Sequence, residues 1–128
     1  MIAADTSTWI AFLQGAKGED TKLLDMALND RQVLMVPAVL TELLSDPGIP
    51  PAVARTLTAL PAAEITDGYW QRAGVLRSKV LGKRRKARLG DALIAQSCID
   101  RRIPLVTRDK DFRNFAAAAE LDIMVSLK

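Results

Sequence analysis

The chain has 128 residues, 49% of them hydrophobic and 26% charged, and its net charge is +3. This length and balance predict one globular domain with a substantial core and exclude a disordered chain. No apolar run approaches the roughly 18 residues that a membrane span needs, and the first ten residues lack the basic start of a signal peptide. We therefore expect a cytoplasmic protein without membrane contact, and we interpret the single cysteine, Cys98, as a core residue in a reducing compartment.

Short apolar runs alternate along the chain with longer segments of helical periodicity. The runs predicted to form buried strands lie at 1–4, 33–36, 62–65, 104–106 and 123–125. Helices are predicted between them, and their expected capping or first residues are Asp5, Thr6 or Ser7, then Asp20 or Thr21, Pro37, Pro50, Asp67, Leu89 and Phe112. The helix after Asp67 is expected to bury Trp70, Ala73, Leu76 and Val80. This alternation predicts a single domain over residues 1–128, an α/β fold built as a three-layer α/β/α sandwich around a central, mostly parallel sheet.

Four acidic residues matter because the chain contains no histidine; they are Asp5, Glu42, Asp91 and Asp109. Without histidine, the commonest general base and the commonest neutral metal ligand are both missing. Hydrolytic chemistry would then depend on carboxylates, most naturally on carboxylates that hold a hard divalent cation. Asp5 and Asp109 closely follow predicted strands, and parallel sheets bind ligands at that carboxyl edge.

The first two acids also have ordinary structural explanations. Asp5 could simply cap the helix that follows it, but Thr6 and Ser7 could cap that helix equally well, which would leave Asp5 free for a site. Glu42 points away from the apolar face of its helix, and alone it would be interpreted as a solvated surface residue. Its functional interpretation therefore depends on the other acids.

Asp91 heads an apolar stripe, because Ile94, Ala95 and Cys98 follow it on the same helical face. A buried, unpaired carboxylate is costly, so Asp91 needs a cation, a proton or helix N–H groups as a partner. The structural alternative is an anchor at the helix N-terminus, where the dipole contributes roughly 1 kcal/mol. Because that contribution is small against the cost of burial, the pattern favours a metal ligand.

The fourth acid is ambiguous, because Asp109 and Asp111 both lie between a predicted strand and the helix that begins at Phe112. One of them is expected to cap that helix and the other to face the site, while Thr107 could orient a water or a ligand. Together the acids fit a site in which carboxylates bind Mg²⁺ or Mn²⁺ and the ion keeps several waters.

A run of basic residues without any acid extends from Arg77 to Arg88. Its second half contains Lys83, Arg84, Arg85, Lys86 and Arg88. Beside an acidic site, such a run is typical of a surface that holds a polyanion. A solvated loop or helix end is equally compatible with the run alone.

Four short motifs, in this order, make the chain resemble a PIN-domain ribonuclease and, more narrowly, a VapC-type toxin of a toxin–antitoxin pair. They are residues 2–7 (IAADTS), 37–43 (PAVLTEL), 90–95 (GDALIA) and 105–112 (LVTRDKDF), and they span nearly the whole chain. The resemblance implies a compact α/β/α sandwich and an acidic quartet that binds Mg²⁺ or Mn²⁺ and cuts RNA. By position, that quartet would be Asp5, Glu42, Asp91 and Asp109, with Asp111 competing for the last place.

The resemblance also implies supporting residues and partners. Asp5 and Asp91 would hold the metal most directly. Thr6 or Ser7 and Thr107 would support the acids through their hydroxyls, and Asp111 would be a further supporting residue if it is not the fourth acid. The basic residues Lys83, Arg84, Arg85, Lys86 and Arg88 would contact the RNA backbone. The family further implies a homodimer and inhibition by a small cognate antitoxin.

The expected reaction is in-line attack of a metal-activated water on phosphorus, which leaves a 5′-phosphate and a 3′-hydroxyl. The absence of histidine argues against the route in which imidazoles shuttle protons and the 2′-hydroxyl attacks. Two other classes remain open. A phosphotransfer switch of the receiver type would need two adjacent acids after the first strand, where this chain has Thr6 and Ser7 after Asp5. A non-catalytic RNA- or protein-binding module on the same fold would bind without cutting.

Overall fold

The computed structural model of this protein describes residues 1–125, and the last three residues of the predicted domain lie outside that range. The described part contains β1 (Ala3–Ala4), α1 (Thr6–Leu13), α2 (Glu19–Asn29), α3 (Pro37–Leu44), α4 (Pro51–Ala59), α5 (Tyr69–Gly82), α6 (Leu89–Arg101), β2 (Leu105–Val106), α7 (Phe112–Ala118) and β3 (Ile123–Val125). Among these described helices, none is both long and apolar enough to cross a membrane.

The strands form a parallel sheet in which β2 lies between β1 and β3. Single parallel bridges, from Ile2 to Val33 and from Met35 to Ala62, extend the sheet beyond β1. The order across the sheet is therefore the segment at 62, the segment at 33–35, β1, β2 and β3. The prediction of a mostly parallel central sheet is confirmed.

Two of the predicted segments, the strand at 33–36 and the weak strand at 62–65, pair in parallel as expected but only through these isolated bridges. Pro37 begins α3 directly after the first segment, and Pro61 precedes the second. Neither proline has an N–H group to donate to a ladder, which keeps both segments short. They still pair through the backbone, since the Met35 N–H donates to the Pro61 carbonyl at 2.7 Å and the Ala63 N–H to the Met35 carbonyl at 2.8 Å.

Both faces of the sheet are covered, because every residue of β1 and β2 is buried. The largest fully buried side chains are Trp9 on α1 and Phe112 and Phe115 on α7. Cys98 is buried in α6, as its interpretation as a core residue requires. The α/β fold that the sequence predicted is thereby confirmed.

Two helices begin at residues other than the predicted ones. Gly18, rather than Asp20 or Thr21, precedes α2, because the Asp20 side chain is engaged in a buried contact described below. Gly68, rather than Asp67, precedes α5 and has a φ of 81°. That left-handed conformation favours glycine and makes the turn into α5.

The buried face of α5 contains Ala73, Leu76 and Val80, as predicted, but differs at its first position. Trp70 is 62% exposed, and its neighbour Tyr69 is buried instead. The Tyr69 hydroxyl donates to the Leu93 carbonyl at 2.6 Å and accepts from the Ser97 hydroxyl at 3.2 Å. A buried phenol is favourable when its polar end finds such partners, and this one anchors α5 to α6, the helix that carries Asp91.

Candidate functional site

The carboxyl ends of β1 and β2 bring two distant segments of the chain together. The Asp5 N–H donates to the Val106 carbonyl at 3.1 Å, which continues the pairing one residue beyond β1. The Thr107 hydroxyl then donates to Asp5 Oδ2 at 2.7 Å. Thr107 is fully buried and Asp5 is only 3% exposed. The sheet therefore fixes Asp5 at the edge where the sequence predicted a site.

Asp5 also caps α1, which corrects the expectation that Thr6 or Ser7 could free it from that role. Its Oδ1 accepts the Thr8 N–H at 3.0 Å, and the Ser7 hydroxyl lies 2.9 and 2.8 Å from its two oxygens. Burial raises the pKa of Asp5, and the hydrogen bonds that Asp5 accepts offset only part of that rise. A nearby cation would stabilise the ionised form of this carboxylate.

Glu42 is exposed on α3, but it is not an isolated surface residue. The Thr6 hydroxyl donates to Glu42 Oε1 at 2.8 Å and so links α3 to the first turn of α1. On its other side, a Cβ added at Gly90 would lie 3.6 Å from each of the Glu42 carboxylate oxygens. Glu42 therefore stands between the first turns of α1 and α6.

Asp91 lies in the first turn of α6, which has no side-chain cap. The apolar stripe predicted behind it is present, since Ile94, Ala95 and Cys98 are all buried. The free N–H groups of an uncapped first turn favour negative charge. This effect supports a carboxylate at position 91 and also at Glu42, which faces Gly90 in the same turn.

The electrostatics of Asp91 link all four predicted acids. The pKa of Asp91 is raised to about 6, first by burial and then by the negative charge of Asp109. The positive charge of Arg88 opposes this rise, while the charges of Asp5 and Glu42 add to it. The four carboxylates therefore share one electrostatic neighbourhood at the sheet edge.

The geometry distinguishes Asp109 from Asp111. The Asp109 N–H donates to the Thr107 hydroxyl at 2.9 Å, and Asp109 Oδ1 accepts the Asp111 N–H at 2.9 Å. Asp111 precedes α7 but makes no side-chain capping bond, and its carboxylate instead lies 3.3 Å from Lys86 Nζ. Asp109 is thus the acid whose charge acts on Asp91, whereas the charge of Asp111 is paired with a lysine.

The chemistry of these acids fits a hard divalent cation, because such ions prefer carboxylate oxygens as ligands. A bound cation would also offset the repulsion between the negative charges of the acids. As the side chains are placed, no three aspartate, glutamate or cysteine side chains within residues 1–125 lie close enough to ligate one ion together. The exposed Glu42 and the partly exposed Asp91 and Asp109 would have to turn towards a shared ion.

A basic loop between α5 and α6 lies beside these acids. It comprises Lys83, Arg84, Arg85, Lys86, Ala87 and Arg88, of which all but Ala87 are exposed. The Arg77 Nε donates to the Ala87 carbonyl at 2.8 Å, and the Asn114 Nδ2 donates to the Lys86 carbonyl at 3.1 Å. These bonds, with the ion pair between Lys86 and Asp111, hold the loop against the edge that carries Asp109.

One ion pair next to the site was missed by the sequence analysis. Arg108 donates Nε and Nη2 to the two carboxylate oxygens of Asp20 at 2.8 and 2.9 Å, and the Asp20 side chain is fully buried. The Thr8 hydroxyl donates to the same carboxylate at 3.0 Å. The partners lie 88 positions apart, so no local pattern signalled the pair, and Asp20 was interpreted as a helix cap.

The sequence model of the PIN domain matches residues 2–118 of this chain. Because the match covers almost the whole chain, the protein belongs to the PIN domain family, and the family predicted from the four motifs is confirmed. A comparison with curated proteins finds no match.

Several solved structures share the fold at low sequence identity. A member of the VapBC family of toxin–antitoxin systems from Mycobacterium tuberculosis, VapBC-5, is 21% identical with a TM-score of 0.64 over 95% of each chain. VapBC2 from Rickettsia felis, bound to a DNA fragment from its promoter, is 18% identical with a TM-score of 0.70 over 100% of each chain. A toxin–antitoxin complex from Klebsiella pneumoniae is 24% identical with a TM-score of 0.61, over 88% of this chain and 90% of that one. These likenesses establish the fold.

Proposed function

We propose that this protein is a metal-dependent endoribonuclease and the toxin of a type II toxin–antitoxin module. The observation that carries the proposal is the position of Asp5, Glu42, Asp91 and Asp109 around one sheet edge, where burial first, and then the charges of the other three acids, raise the pKa of Asp91. Membership of the PIN domain family and the fold likeness to toxin–antitoxin complexes support the same conclusion. Mg²⁺ or Mn²⁺ suits a donor set made of carboxylates.

In this proposal, Asp5 and Asp91 hold the cation most directly, and Glu42 and Asp109 bind through water or hold a second ion. When bound, the cation polarises a phosphate oxygen and lowers the pKa of a bound water. The carboxylates keep the cation at the sheet edge. Because their own negative charge repels phosphate, the basic loop is the part of the surface that attracts the phosphate backbone.

Three hydroxyls support the acids. The Thr6 hydroxyl orients Glu42, and the Ser7 and Thr107 hydroxyls orient Asp5. We also expected Asp111 to support the site. Its ion pair with Lys86 supports a different role, in which Asp111 ties the basic loop to the site.

The basic loop supplies affinity for RNA. Lys83, Arg84, Arg85 and Arg88 are exposed and free to contact phosphates, whereas Lys86 is shared with Asp111. Contacts to phosphate position a nucleic acid without reading its sequence. We therefore propose that this loop contributes binding strength more than a preference for one cleavage site.

A small cognate antitoxin is the proposed partner, and an apolar groove beside the site supports it. The groove is lined by Ile10, Leu13, Leu43, Ile49 and Val53, and Glu42 is also part of its lining. Ile10 and Leu13 are 44% and 41% exposed. A partner helix with apolar anchors and a basic residue opposite Glu42 would complement this groove in shape and charge.

We also propose a homodimer in the cytoplasm. The support is the exposure of two large side chains on α5, Trp70 at 62% and Leu81 at 46%. Light scattering on the wild type and on Trp70→Glu tests this assignment. A monomeric wild type would contradict it.

The function is tested by incubating the purified protein with total cellular RNA in Mg²⁺, Mn²⁺ or EDTA and mapping the cut ends. We expect fragments with 5′-phosphate and 3′-hydroxyl ends, formed only with metal. Asp5→Asn and Asp91→Asn should abolish cleavage while circular dichroism shows an intact fold. Asp100→Asn, a charge change further along α6, is the control and should cleave normally.

Full activity in EDTA or in both site variants would refute the proposal, and 2′,3′-cyclic phosphate ends would refute its mechanism. The second candidate is a non-catalytic RNA- or protein-binding module on the same fold. The observation that fits this candidate is that, as placed, no three acids within residues 1–125 lie close enough to ligate one ion together. Binding of RNA without cleavage under every metal condition would establish it in place of the nuclease.

A further inference from the structure

We propose that Asp20 is a positioning residue of the acidic site. It holds the guanidinium of Arg108 away from the carboxylates of Asp5 and Asp109. This inference rests on the proposed function for the cation that those carboxylates would bind. It goes beyond that function by assigning a role to an ion pair outside the acidic quartet.

The ion pair is held in one orientation by its surroundings. Arg108 Nε donates to Asp20 Oδ2 and Arg108 Nη2 donates to Asp20 Oδ1. Because each donor has its own oxygen, the plane of the guanidinium is fixed. The backbone at Gly18 passes directly over the pair. A Cβ there would lie 2.6 Å from Asp20 Oδ1 and 3.1 Å from Arg108 Nη2. Glycine at position 18 therefore leaves the space that the pair occupies.

A closed ring of bonds joins this pair to the site. Thr107 and Arg108 are consecutive, and the Thr107 hydroxyl binds Asp5 while Arg108 binds Asp20. On the opposite side, Thr8 binds both acids, with its N–H on Asp5 and its hydroxyl on Asp20. The guanidinium is thus anchored one residue away from a hydroxyl that touches the site.

An arginine in this position would pair with the site carboxylates if nothing held it elsewhere. Guanidinium forms its strongest hydrogen bonds with carboxylates, so a free Arg108 would compete with a divalent cation for the same oxygens. Asp20 prevents this competition in two ways. It neutralises the positive charge of the guanidinium, and it holds the Nε and Nη2 donors of Arg108 in the space between α1 and α2.

The test is the affinity for Mn²⁺, measured by isothermal titration calorimetry on the full chain at a temperature where each variant is folded. Asp20→Asn should weaken Mn²⁺ binding on the order of tenfold, because a positive charge now meets the carboxylates. Arg108→Gln should bind Mn²⁺ at least as tightly as the wild type. The double variant Asp20→Asn with Arg108→Gln should return to within about threefold of the wild type, since the competing charge is gone.

A matched control is another bidentate pair within residues 1–125, in which Arg72 Nε and Nη2 donate to Asp100 at 3.1 and 2.7 Å. Asp100 lies further along α6 than Asp91, and Asp100→Asn should leave the Mn²⁺ affinity unchanged. If Asp20→Asn fails to fold, Gly18→Ala displaces the pair without removing a charge and should weaken Mn²⁺ binding in the same direction.

Equal Mn²⁺ affinity in the wild type and Asp20→Asn would overturn the inference. So would a double variant that binds as weakly as Asp20→Asn, because that pattern belongs to a purely structural ion pair. A wild type that binds no Mn²⁺ would instead count against the proposed function. In that case a crystal structure of metal-free Asp20→Asn decides: the inference expects the guanidinium against Asp5 or Asp109, and an unmoved guanidinium refutes it.

Discussion

Asp5 caps α1 and also lies at the sheet edge of the candidate site. A carboxylate offers about four lone-pair positions. In Asp5, the Thr8 N–H, the Thr107 hydroxyl and the Ser7 hydroxyl take most of them. Ser7 has one proton shared between both oxygens, so it is the partner that a bound ion can displace at least cost. Capping and metal binding are therefore compatible in this residue, although the sequence analysis treated them as alternatives.

Thr107→Val tests the hydroxyl that connects Asp5 to Asp109. The substitution keeps the side-chain shape but removes a donor to Asp5 and an acceptor for the Asp109 N–H. The free energy of unfolding should fall by about 1–3 kcal/mol, because buried polar groups lose their partner. Cleavage should fall as well, since Asp109 loses its anchor.

Urea denaturation and an RNA cleavage assay measure these two effects. The matched control is Thr58→Val on α4, an exposed residue whose hydroxyl bonds to the Ala54 carbonyl at 2.7 Å. It should change stability by no more than about 0.5 kcal/mol. Thr107→Val with wild-type cleavage would mean that Thr107 does not position the site.

Asp91 should make the free energy of unfolding fall as the pH rises. Its pKa in the folded protein is raised from the usual 3.8 to about 6, so the folded state binds this proton more tightly than the unfolded state. Stability is therefore lost as the pH rises from about 4 to about 6 and stays lower above that range. Asp91→Asn removes the loss. In EDTA at pH 7.5 it should be more stable than the wild type by about 1 kcal/mol, after allowance for solvent screening.

Thermal melts between pH 4 and pH 8 check this, and the gap between Asp91→Asn and the wild type should close in acid. Asp100→Asn is the control, and its effect on stability should have the opposite sign. Burial raises the pKa of Asp100, but hydrogen bonds from Arg72 and Gln96 outweigh it and leave the pKa below its usual value. Asp100→Asn should therefore destabilise the protein at neutral pH and less so in acid. An Asp91→Asn variant that never exceeds the wild type would contradict the raised pKa.

At the scale of elements, the helices were predicted better than the strands. Each described helix lies where the sequence predicted one, because helical periodicity and helix-opening residues such as Pro37 and Pro50 mark these segments locally. The segments at 33–36 and 62–65 are apolar enough for strands, but the prolines beside them limit their pairing to single bridges. On α5, the exposure of Trp70 depends on the Tyr69 hydroxyl reaching α6, which periodicity does not encode.

The basic loop makes a prediction about salt. Arg84→Gln combined with Arg85→Gln should weaken RNA binding and make the plot of log affinity against log salt shallower by about 1.4, roughly 0.7 for each lost phosphate contact on a single strand. Fluorescence polarisation in EDTA with a labelled RNA measures the slope without cleavage.

The control for the loop is Arg31→Gln combined with Arg102→Gln. Both arginines have left-handed φ values, 55° and 53°, and both precede segments of the sheet, so they lie at the edge opposite the acids. The slope of log affinity against log salt for this control variant should equal that of the wild type. An equal change in both double variants, or none in the loop variant, would favour the solvated-loop interpretation of residues 83–88.

At the scale of the whole molecule, metal binding and folding should be coupled. A ligand that binds only the folded state at one hundred times its Kd adds about 2.7 kcal/mol to the free energy of unfolding. Mg²⁺ or Mn²⁺ should therefore raise the melting temperature of the wild type by several degrees, and EDTA should reverse the shift. Asp91→Asn should show a smaller shift, while Asp100→Asn should shift like the wild type. No shift of the wild type with either ion would contradict carboxylate binding of a metal.

The amino-acid sequence alone predicts the alternation of layers, the parallel sheet and the positions of Asp5 and Asp109 just after two of its strands. These features follow from local patterns: apolar runs, helical periodicity, and motifs whose residues are close neighbours in the chain. Asp5 lies at the sheet edge because it directly follows a buried strand. Asp91 heads a buried stripe because residues three, four and seven positions later share its face.

The contacts of each acid, in contrast, depend on how the elements pack. That packing made Asp5 the cap of α1, paired Asp111 with Lys86, left the charge of Asp109 to act on Asp91, and joined Asp20 to Arg108. Most of these contacts join elements that are distant in the chain, and their energies depend on distances of about 3 Å and on burial. Local patterns fix which elements form, whereas such contacts exist only after the elements have packed.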